Sequence, residues 1–308
     1  MKLFFLSTFF ILVAFASSLQ AQCISGDCQN GEGIQVLQNG DRYEGFFAKG
    51  LKSGMGTYLS TSGDKYTGEW KNDKQHGQGE LFLANGDYYK GEFANAKIQG
   101  KGRLEYNNGN VYEGSFLNDK KDGKGFFTFA SGATIDGVWA NDNMVGEVVY
   151  TYPNGDVYKG EMRNDKRHGK GTQTYPNGDK YEGNWVAGNR QGAGVLTFKS
   201  GNVYTGNFAN NQLNGKGKMK FAEGSVYEGF FRNNKQDGIG KMTYTNGDVY
   251  EGDWNFGMRH GNGVYVFKSG EKYDGSWVHD KKSGVGELIT ATGNTEKVKY
   301  SNGTRLTP

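Results

Sequence analysis

The side chains with the most reactive chemistry are four histidines, and their spacing argues against a shared site. His76, His168 and His260 each precede a Gly-x-Gly pattern, and successive members lie 92 residues apart. If the chain forms two β-strands in every 23 residues, with ~4.8 Å per strand, each interval covers roughly 40 Å. Such residues cannot meet at one metal ion or catalytic centre unless the array closes on itself. We therefore interpret them as loop residues of a repeat, and His279 lies outside that register.

The carboxylates do not form an obvious acid–base pair either. Glutamates recur in the middle of a Tyr-x-Gly pattern, at Glu44, Glu113, Glu182, Glu228 and Glu251. Alternation along a strand turns this position away from the Tyr and Gly, which predicts a solvated polar face. The chain also has no G-x-x-x-x-G-K-[ST] phosphate loop and no G-x-S-x-G nucleophile elbow. The residues predict no catalytic site, no metal site and no cofactor.

Cys23 and Cys28 are the only cysteines. In an oxidising compartment we expect them to form a small disulfide loop. Free thiols and lipid attachment at Cys23 remain alternatives, although Gln22 stands where a bacterial lipoprotein signal requires a small residue. A metal site would need further ligands, and no histidine lies near these cysteines in the sequence.

The amino terminus has the layout of a secretory signal peptide. Lys2 is followed by a 13-residue apolar run over 3–15 and then by small residues. This run is shorter than the ~20 residues that a membrane-spanning helix needs. We expect cleavage between Ala21 and Gln22, and export to the periplasm, the cell surface or the medium.

The charge balance disfavours nucleic acid as a partner. The chain has 36 Lys and Arg against 33 Asp and Glu, a formal charge of +3 that falls to +2 when Lys2 leaves with the signal peptide. Acidic and basic residues are interspersed, whereas nucleic-acid binding requires a concentrated basic stripe. Aromatic residues make up 14% of the chain, which is too many for a disordered protein.

A strict internal repeat must position all of these side chains. One glycine recurs at intervals of 23 residues without insertion or deletion: Gly40, Gly63, Gly86, Gly109, Gly132, Gly155, Gly178, Gly201, Gly224, Gly247, Gly270 and Gly293. A period of this length is typical of a repeat array. We predict an N-terminal cap with a partial repeat over 22–39, eleven full repeats over 40–292 and a degenerate C-terminal cap over 293–308.

Each repeat reads as two β-strands. The first half is Y-x-G-x-[WF], as in 66–70, and its alternation places Tyr, Gly and Trp on one face. A polar connection follows, such as 71–76, and the second half opens with G-x-G and continues as an alternating apolar run. It ends in Asn-Gly, as at Asn85-Gly86, which predicts a tight turn in which both residues take positive φ.

The glycines within the strands need a physical reason, because glycine weakens a strand. A ring from one strand can cover a glycine on its neighbour. We therefore predict an all-β fold, an elongated single-layer twisted antiparallel meander of β-hairpins. Rings left uncovered would form an exposed apolar strip of the kind that binds partners; the alternative is that every ring is used in packing. The clearest members of this candidate aromatic face are Tyr66, Trp70, Tyr181, Trp185, Tyr250, Trp254, Tyr273 and Trp277.

Four positions depart from the repeat. Ile135 replaces the Tyr, Val148 replaces the second glycine of G-x-G, Met162 replaces the second aromatic residue, and Gln173 is polar where most copies are apolar. The first two flank one hairpin. They indicate either a bend or sequence drift, and we favour drift.

These patterns resemble the MORN (membrane occupation and recognition nexus) repeat family. The family pattern Y-x-G-x-W-x-x-G-x-x-x-G-x-G is matched by 66–70 with 77–79 and by 273–277 with 284–286, although its mid-loop glycine is mostly absent here, apart from nearby Gly188 and Gly257. The resemblance covers nearly all of the predicted mature chain. It implies a hairpin sheet and a role in scaffolding, dimerisation or partner binding, and lipid binding has been proposed for the family.

We therefore expect a non-enzymatic, exported scaffold whose main partner is a protein. A peripheral membrane module on an anionic lipid surface, and a binder of an extended cell-wall glycan, are the alternatives. A homodimer is also compatible with the resemblance.

Overall fold

The computed structural model describes residues 21–306, and every element in this range is a β-strand. The predicted all-β class is therefore confirmed. No helix in the described range is long and apolar enough to cross a membrane. The predicted signal peptide, 1–21, lies outside the described residues except for Ala21.

The described residues divide into two compact units, 21–109 with 115–120, and 110–114 with 121–306. Strand β9 (Val111–Leu117) has residues in both. The first unit contains β1 (Gln22–Gly26), β2 (Glu32–Val36), β3 (Arg42–Ala48), β4 (Leu51–Leu59), β5 (Lys65–Lys71), β6 (Lys74–Phe82), β7 (Tyr88–Ala94) and β8 (Lys97–Glu105).

The second unit contains the remaining strands. They are β10 (Lys120–Thr128), β11 (Thr134–Ala140), β12 (Asn143–Thr151), β13 (Val157–Arg163), β14 (Lys166–Thr174), β15 (Lys180–Val186), β16 (Asn189–Thr197), β17 (Val203–Ala209), β18 (Gln212–Lys220), β19 (Val226–Arg232), β20 (Lys235–Thr243), β21 (Val249–Asn255), β22 (Met258–Val266), β23 (Lys272–Val278), β24 (Lys281–Ile289), β25 (Thr295–Ser301) and β26 (Thr304–Leu306). The first residue of β10, Lys120, is grouped with the first unit.

Within each unit, strands adjacent in sequence pair antiparallel. In the first unit β5 pairs with β4 and β6, and in the second unit β16 pairs with β15 and β17. The predicted meander of hairpins is thus confirmed. Strands such as β5 alternate between buried and more exposed side chains, because successive side chains point to opposite faces.

The two turns of the repeat differ from the prediction. At Asn85-Gly86 only the glycine has positive φ, 93°. The Gly86 N–H bonds to the Leu83 carbonyl at 2.9 Å, which makes a type I turn that ends in a left-handed glycine. Asn85 instead donates from Nδ2 to Asp87 Oδ2 at 3.0 Å.

The turn with two left-handed residues lies in the middle of the repeat. Asn72 and Asp73 have φ of 49° and 63°, and Lys71 pairs directly with Lys74. The predicted polar connection over 71–76 is therefore wrong: only two residues connect β5 to β6, and 74–76 belong to β6. Asn and Asp tolerate left-handed backbone because their short side chains hydrogen-bond locally.

The two glycines of G-x-G have different roles. In β6 the register with β5 shifts between Gly68 and Glu69, which leaves a bulge at Gly77, where φ is 60°. Glu69 accepts a hydrogen bond from the Gln78 N–H at 2.9 Å across this bulge. The second glycine, Gly79, pairs with Gly68 on β5. The first glycine provides the left-handed backbone, and the second leaves room on the aromatic side.

Side chains connect consecutive repeats at both ends of the strands, where the turns lie. Asp64, which follows the recurring glycine, accepts a hydrogen bond from the Ala84 N–H at 2.8 Å. At the other end of the strands, Asp73 accepts a hydrogen bond from the Lys52 N–H at 2.9 Å. These acceptors satisfy backbone amides that the strand ladder leaves unpaired, which explains why Asp or Asn recurs at both positions.

Candidate functional site

The structure buries the predicted aromatic face. None of Tyr66, Trp70, Tyr181, Trp185, Tyr250, Trp254, Tyr273 and Trp277 exposes more than 7% of its surface. This corrects the prediction of a partner-binding face at these eight positions. The rings cover one another and the glycines beneath them. At these positions the alternative is therefore correct: the rings are used in packing.

Every repeat that carries the tyrosine packs it in the same way. The Tyr66 ring lies over Gly79, where an added Cβ would be 2.5 Å from the ring carbon Cε2. The ring also makes T-shaped contacts with Trp70 at 5.2 Å and with Phe93 of the next repeat at 5.0 Å. Trp70 donates its indole N–H to the Gly56 carbonyl of the preceding repeat at 3.1 Å. The predicted arrangement of rings over glycines is therefore present.

The tyrosine hydroxyls are hydrogen-bond donors within the sheet. Tyr204 donates to the Asn207 carbonyl at 2.9 Å, and Tyr181 donates to the Asn184 carbonyl at 3.0 Å. Burial raises the pKa of both hydroxyls to about 12. They therefore stay protonated near neutral pH and provide neither a base nor a nucleophile.

Basic side chains lie over the aromatic rings, among them those of the tryptophans. These contacts were not predicted from the sequence. Arg167 lies 4.1 Å from the Trp185 ring centre and Arg259 lies 4.4 Å from that of Trp277. Lys121 lies 4.8 Å from Trp139, and burial lowers the pKa of its ammonium group. Such contacts stabilise a cation on an aromatic face. The signal was present in the sequence, where a basic residue stands two positions before the first glycine of G-x-G in six repeats: Lys52, Lys121, Arg167, Arg190, Arg259 and Lys282.

Gln173 is explained by one of these arginines. Its side chain is fully buried, and its Oε1 accepts a hydrogen bond from Arg167 Nη1 at 2.9 Å. Arg167 also donates from Nη2 to the Gly188 carbonyl at 2.8 Å. Arg167, which is half-buried, and the buried Gln173 thus form a polar pair among the rings of the second unit.

Ile135 and Val148 also compensate for each other. Both side chains are buried, and Cγ1 of Val148 would lie 3.1 Å from a Cβ added at Gly137. In other repeats the tyrosine ring fills this space. Ile135 has no ring, so the valine at the second glycine position occupies the vacated volume.

The polar face of the second unit carries a groove. It crosses strands β12 to β17 and has a volume of about 760 Å³. Its charged lining consists of Glu147, Lys159, Lys170 and Glu182. The uncharged lining consists of Gly171, Thr172, Gly183, Asn184, Ala193, Gly194, Val195, Thr205, Gly206 and Asn207. It offers both signs of charge and several hydrogen-bonding groups but no aromatic side chain.

The other predicted residues lie on this polar face or at a chain end. Glu44, Glu113, Glu182, Glu228 and Glu251 are all exposed, as the alternation predicts. Cys23 and Cys28 are joined by a disulfide. Among residues 21–306, no three His, Cys, Asp or Glu side chains group as metal ligands. His260 and His279 of consecutive repeats do come together, with ring centres 5.6 Å apart.

A family model described as MORN repeat matches the chain eleven times in succession. The matches cover 43–65, 66–88, 89–111, 112–134, 136–157, 158–180, 181–203, 204–226, 227–249, 250–272 and 273–295. Comparison with curated protein sequences returns no relative.

Similarities to solved structures are low. The TCP domain of SAS-4 (dCPAP) from Drosophila melanogaster, in complex with a proline-rich motif of Ana2, is 17% identical with a TM-score of 0.34, over 56% of this chain and 88% of that one. The TCP10 domain of Danio rerio CPAP, in complex with a STIL peptide, is 11% identical with a TM-score of 0.28, over 88% and 100%. Virginiamycin B lyase from Staphylococcus aureus is 13% identical with a TM-score of 0.15, over 92% and 88%.

Proposed function

This chain belongs to the MORN repeat family, and we propose that it is a non-enzymatic scaffold that binds a protein partner in an exported compartment. The observation that carries the proposal is the groove across β12 to β17. Because the aromatic face is buried, the polar face is the surface that a partner can reach.

The chemistry of the groove favours a polypeptide. Thr172, Asn184 and Thr205 offer hydrogen-bonding side chains, and the lining glycines leave the backbone open to close approach. The lysines are matched by glutamates in the same groove, which disfavours an anionic lipid surface as the main partner. The absence of aromatic side chains from its lining disfavours a glycan that stacks on rings.

Site-specific photo-crosslinking tests the groove. A photoreactive amino acid at Thr172 should give a discrete crosslinked protein in the producing cell. The matched control is Thr57, which holds the same position five repeats earlier and lies outside the groove lining. A crosslink at Thr172 but not at Thr57 supports the proposal, whereas equal crosslinking or none contradicts it.

A charge reversal then tests affinity for the protein identified in this way. Lys170→Glu should weaken its binding without changing the melting temperature, because Lys170 lines the groove on the polar face. The matched control is Lys101→Glu, which holds the same position three repeats earlier, outside the groove lining. Unchanged affinity in Lys170→Glu would argue against the groove.

Vesicle co-sedimentation separates a protein scaffold from a membrane module. The chain is incubated with neutral and anionic vesicles at low and high salt. Binding to anionic vesicles that high salt removes would favour the membrane alternative, because salt screens surface charge. Binding to neither supports the scaffold.

Export is tested by the mass of the mature protein. The full-length chain with a C-terminal epitope is expressed in a secreting host and recovered outside the cytoplasm. A mature chain that begins at Gln22 supports cleavage after Ala21. Recovery of the intact chain from the cytoplasm contradicts export.

A further inference from the structure

We propose that His260 and His279 form a binding site for a divalent transition-metal ion. Their ring centres lie 5.6 Å apart with an interplanar angle of 54°, so two imidazoles from consecutive repeats meet on one surface. Imidazole nitrogen is a favoured ligand of Zn²⁺, Cu²⁺ and Ni²⁺. With two protein ligands, water or a partner's side chain would complete the coordination.

The two histidines have different surroundings. His260 lies on β22 beside Arg259, whose side chain is turned to the aromatic face over Trp277. His279 is the first residue of the turn between β23 and β24, and its side chain is exposed. Its φ is 46°, a left-handed conformation that Asn adopts at this position in most repeats. His279 is therefore accessible to an ion from solvent.

The position of His260 has a structural role in several other repeats. There the side chain accepts a hydrogen bond from the turn N–H 19 residues later. Gln99 accepts from Asn118 at 3.2 Å, and Gln191 accepts from Asn210 at 3.1 Å. The side chain at this strand position thus lies close to the first turn residue of the next repeat. His260 and His279 occupy these two positions.

His260 does not use its ring nitrogen in this way. Its Nδ1 is buried and has no hydrogen-bond partner among the described residues. When the ring is protonated at Nε2, Nδ1 carries a free lone pair. Metal coordination would satisfy this nitrogen, which otherwise remains buried without a partner.

The charge of Arg259, which precedes His260 in the sequence, does not oppose a cation at this site. The Arg259 guanidinium is paired with Asp280, with Nε and Oδ1 3.1 Å apart, and it lies on the aromatic side. The two other histidines in the register of His260 lack a partner imidazole. Nineteen residues after His76 stands Asn95, and nineteen after His168 stands Ala187.

Calorimetric titration of the full chain, without a polyhistidine tag, with ZnCl₂ tests the site. We expect one equivalent of Zn²⁺ to bind and Mg²⁺ not to bind, because Mg²⁺ prefers oxygen ligands. His260→Gln and His279→Asn should each abolish the saturable heat. Both variants introduce residues that other repeats carry at these positions, so the fold is retained. His168→Gln is the matched control and should leave Zn²⁺ binding unchanged.

A gain-of-function variant tests whether a second pair of histidines creates a second site. Ala187→His places a second imidazole in the equivalent position to His168 and should raise the stoichiometry to two. Electron paramagnetic resonance spectra of bound Cu²⁺ should show coupling to two nitrogens in the natural chain and to one in His279→Asn. The proposal is overturned if Zn²⁺ does not bind, if His279→Asn binds it unchanged, or if Ala187→His adds no second equivalent.

Discussion

The ring of Tyr181 covers Gly194 on the neighbouring strand, where an added Cβ would lie 2.6 Å from the ring carbon Cε2. At Gly183, on the strand of Tyr181 itself, an added Cβ would lie 2.4 Å from the tyrosine hydroxyl oxygen and 2.6 Å from the Gly194 Cα. Real Cβ atoms do not come so close to other heavy atoms, so a side chain at either glycine must displace the tyrosine or the adjacent strand. This contact connects the glycine pattern of the sequence to the stability of the sheet.

Gly183→Val should therefore destabilise the protein far more than Glu182→Ala. Overpacking at Gly183 is expected to lower the free energy of unfolding by about 3 kcal/mol. Glu182 is exposed and pairs with Lys180 at 3.0 Å, so its loss should change that energy by less than about 0.5 kcal/mol. Urea denaturation of both variants provides the measurement. Equal losses in the two variants would contradict the contact between ring and glycine.

The tryptophans should be inaccessible to a charged quencher. Trp70, Trp139, Trp185, Trp254 and Trp277 are the five tryptophans of the chain, and each exposes at most 7% of its surface. Iodide should therefore quench native fluorescence weakly and quench the urea-unfolded chain strongly. Strong quenching of the native protein would return the aromatic face to consideration as a binding surface.

Arg167 and Gln173 should behave as a pair in a double-mutant cycle. Arg167→Leu leaves Gln173 buried without its partner and should cost about 2–3 kcal/mol of the free energy of unfolding. Gln173→Met leaves the half-buried arginine short of an acceptor and should cost a similar amount. The double variant copies the buried pair Leu213 and Met219 found two repeats later and should recover much of the loss. Strictly additive losses, measured by urea denaturation, would show that the two residues act independently.

Asp248 should make part of the stability depend on pH. Its carboxylate accepts hydrogen bonds from the Tyr265 hydroxyl at 2.6 Å and the Lys268 N–H at 2.8 Å, and these bonds lower its pKa. A lowered pKa in the folded state stabilises the fold above the unfolded value of ~3.9. This contribution is lost as the pH falls through the lowered pKa.

Asp248→Asn should thus reduce the free energy of unfolding by about 2 kcal/mol at pH ~7 and by much less at pH ~2. The matched control is Asp156→Asn. Asp156 holds the same position in its repeat, but Pro176 stands where the accepted N–H would be, and proline has none. The free energy of unfolding is measured by urea denaturation at several pH values. If the loss caused by Asp248→Asn does not change with pH, the charged form of Asp248 is not the source of the stability.

Several features of the fold could be predicted from the sequence because they depend on neighbours along one strand. The alternation of Tyr66, Gly68 and Trp70 determines that they share a face, since successive side chains in a strand point to opposite sides. The 23-residue spacing determines the number of hairpins. The position of the turn with two left-handed residues was missed, since Asn-Gly and Asn-Asp both tolerate left-handed backbone and local preference alone did not separate them.

Contacts between repeats were decided only by the tertiary structure. Burial of Tyr181 and Trp185 depends on how closely adjacent strands bring rings and glycines together, which one strand cannot specify. Arg167 and Gln173, and likewise Ile135 and Val148, look like isolated departures in the sequence and become pairs only across strands. His260 and His279 are 19 residues apart in the chain, and they meet because each turn lies beside a strand of the preceding repeat. The sequence by itself determined the repeat unit, and the packing of one unit on the next decided which surfaces remain free to bind.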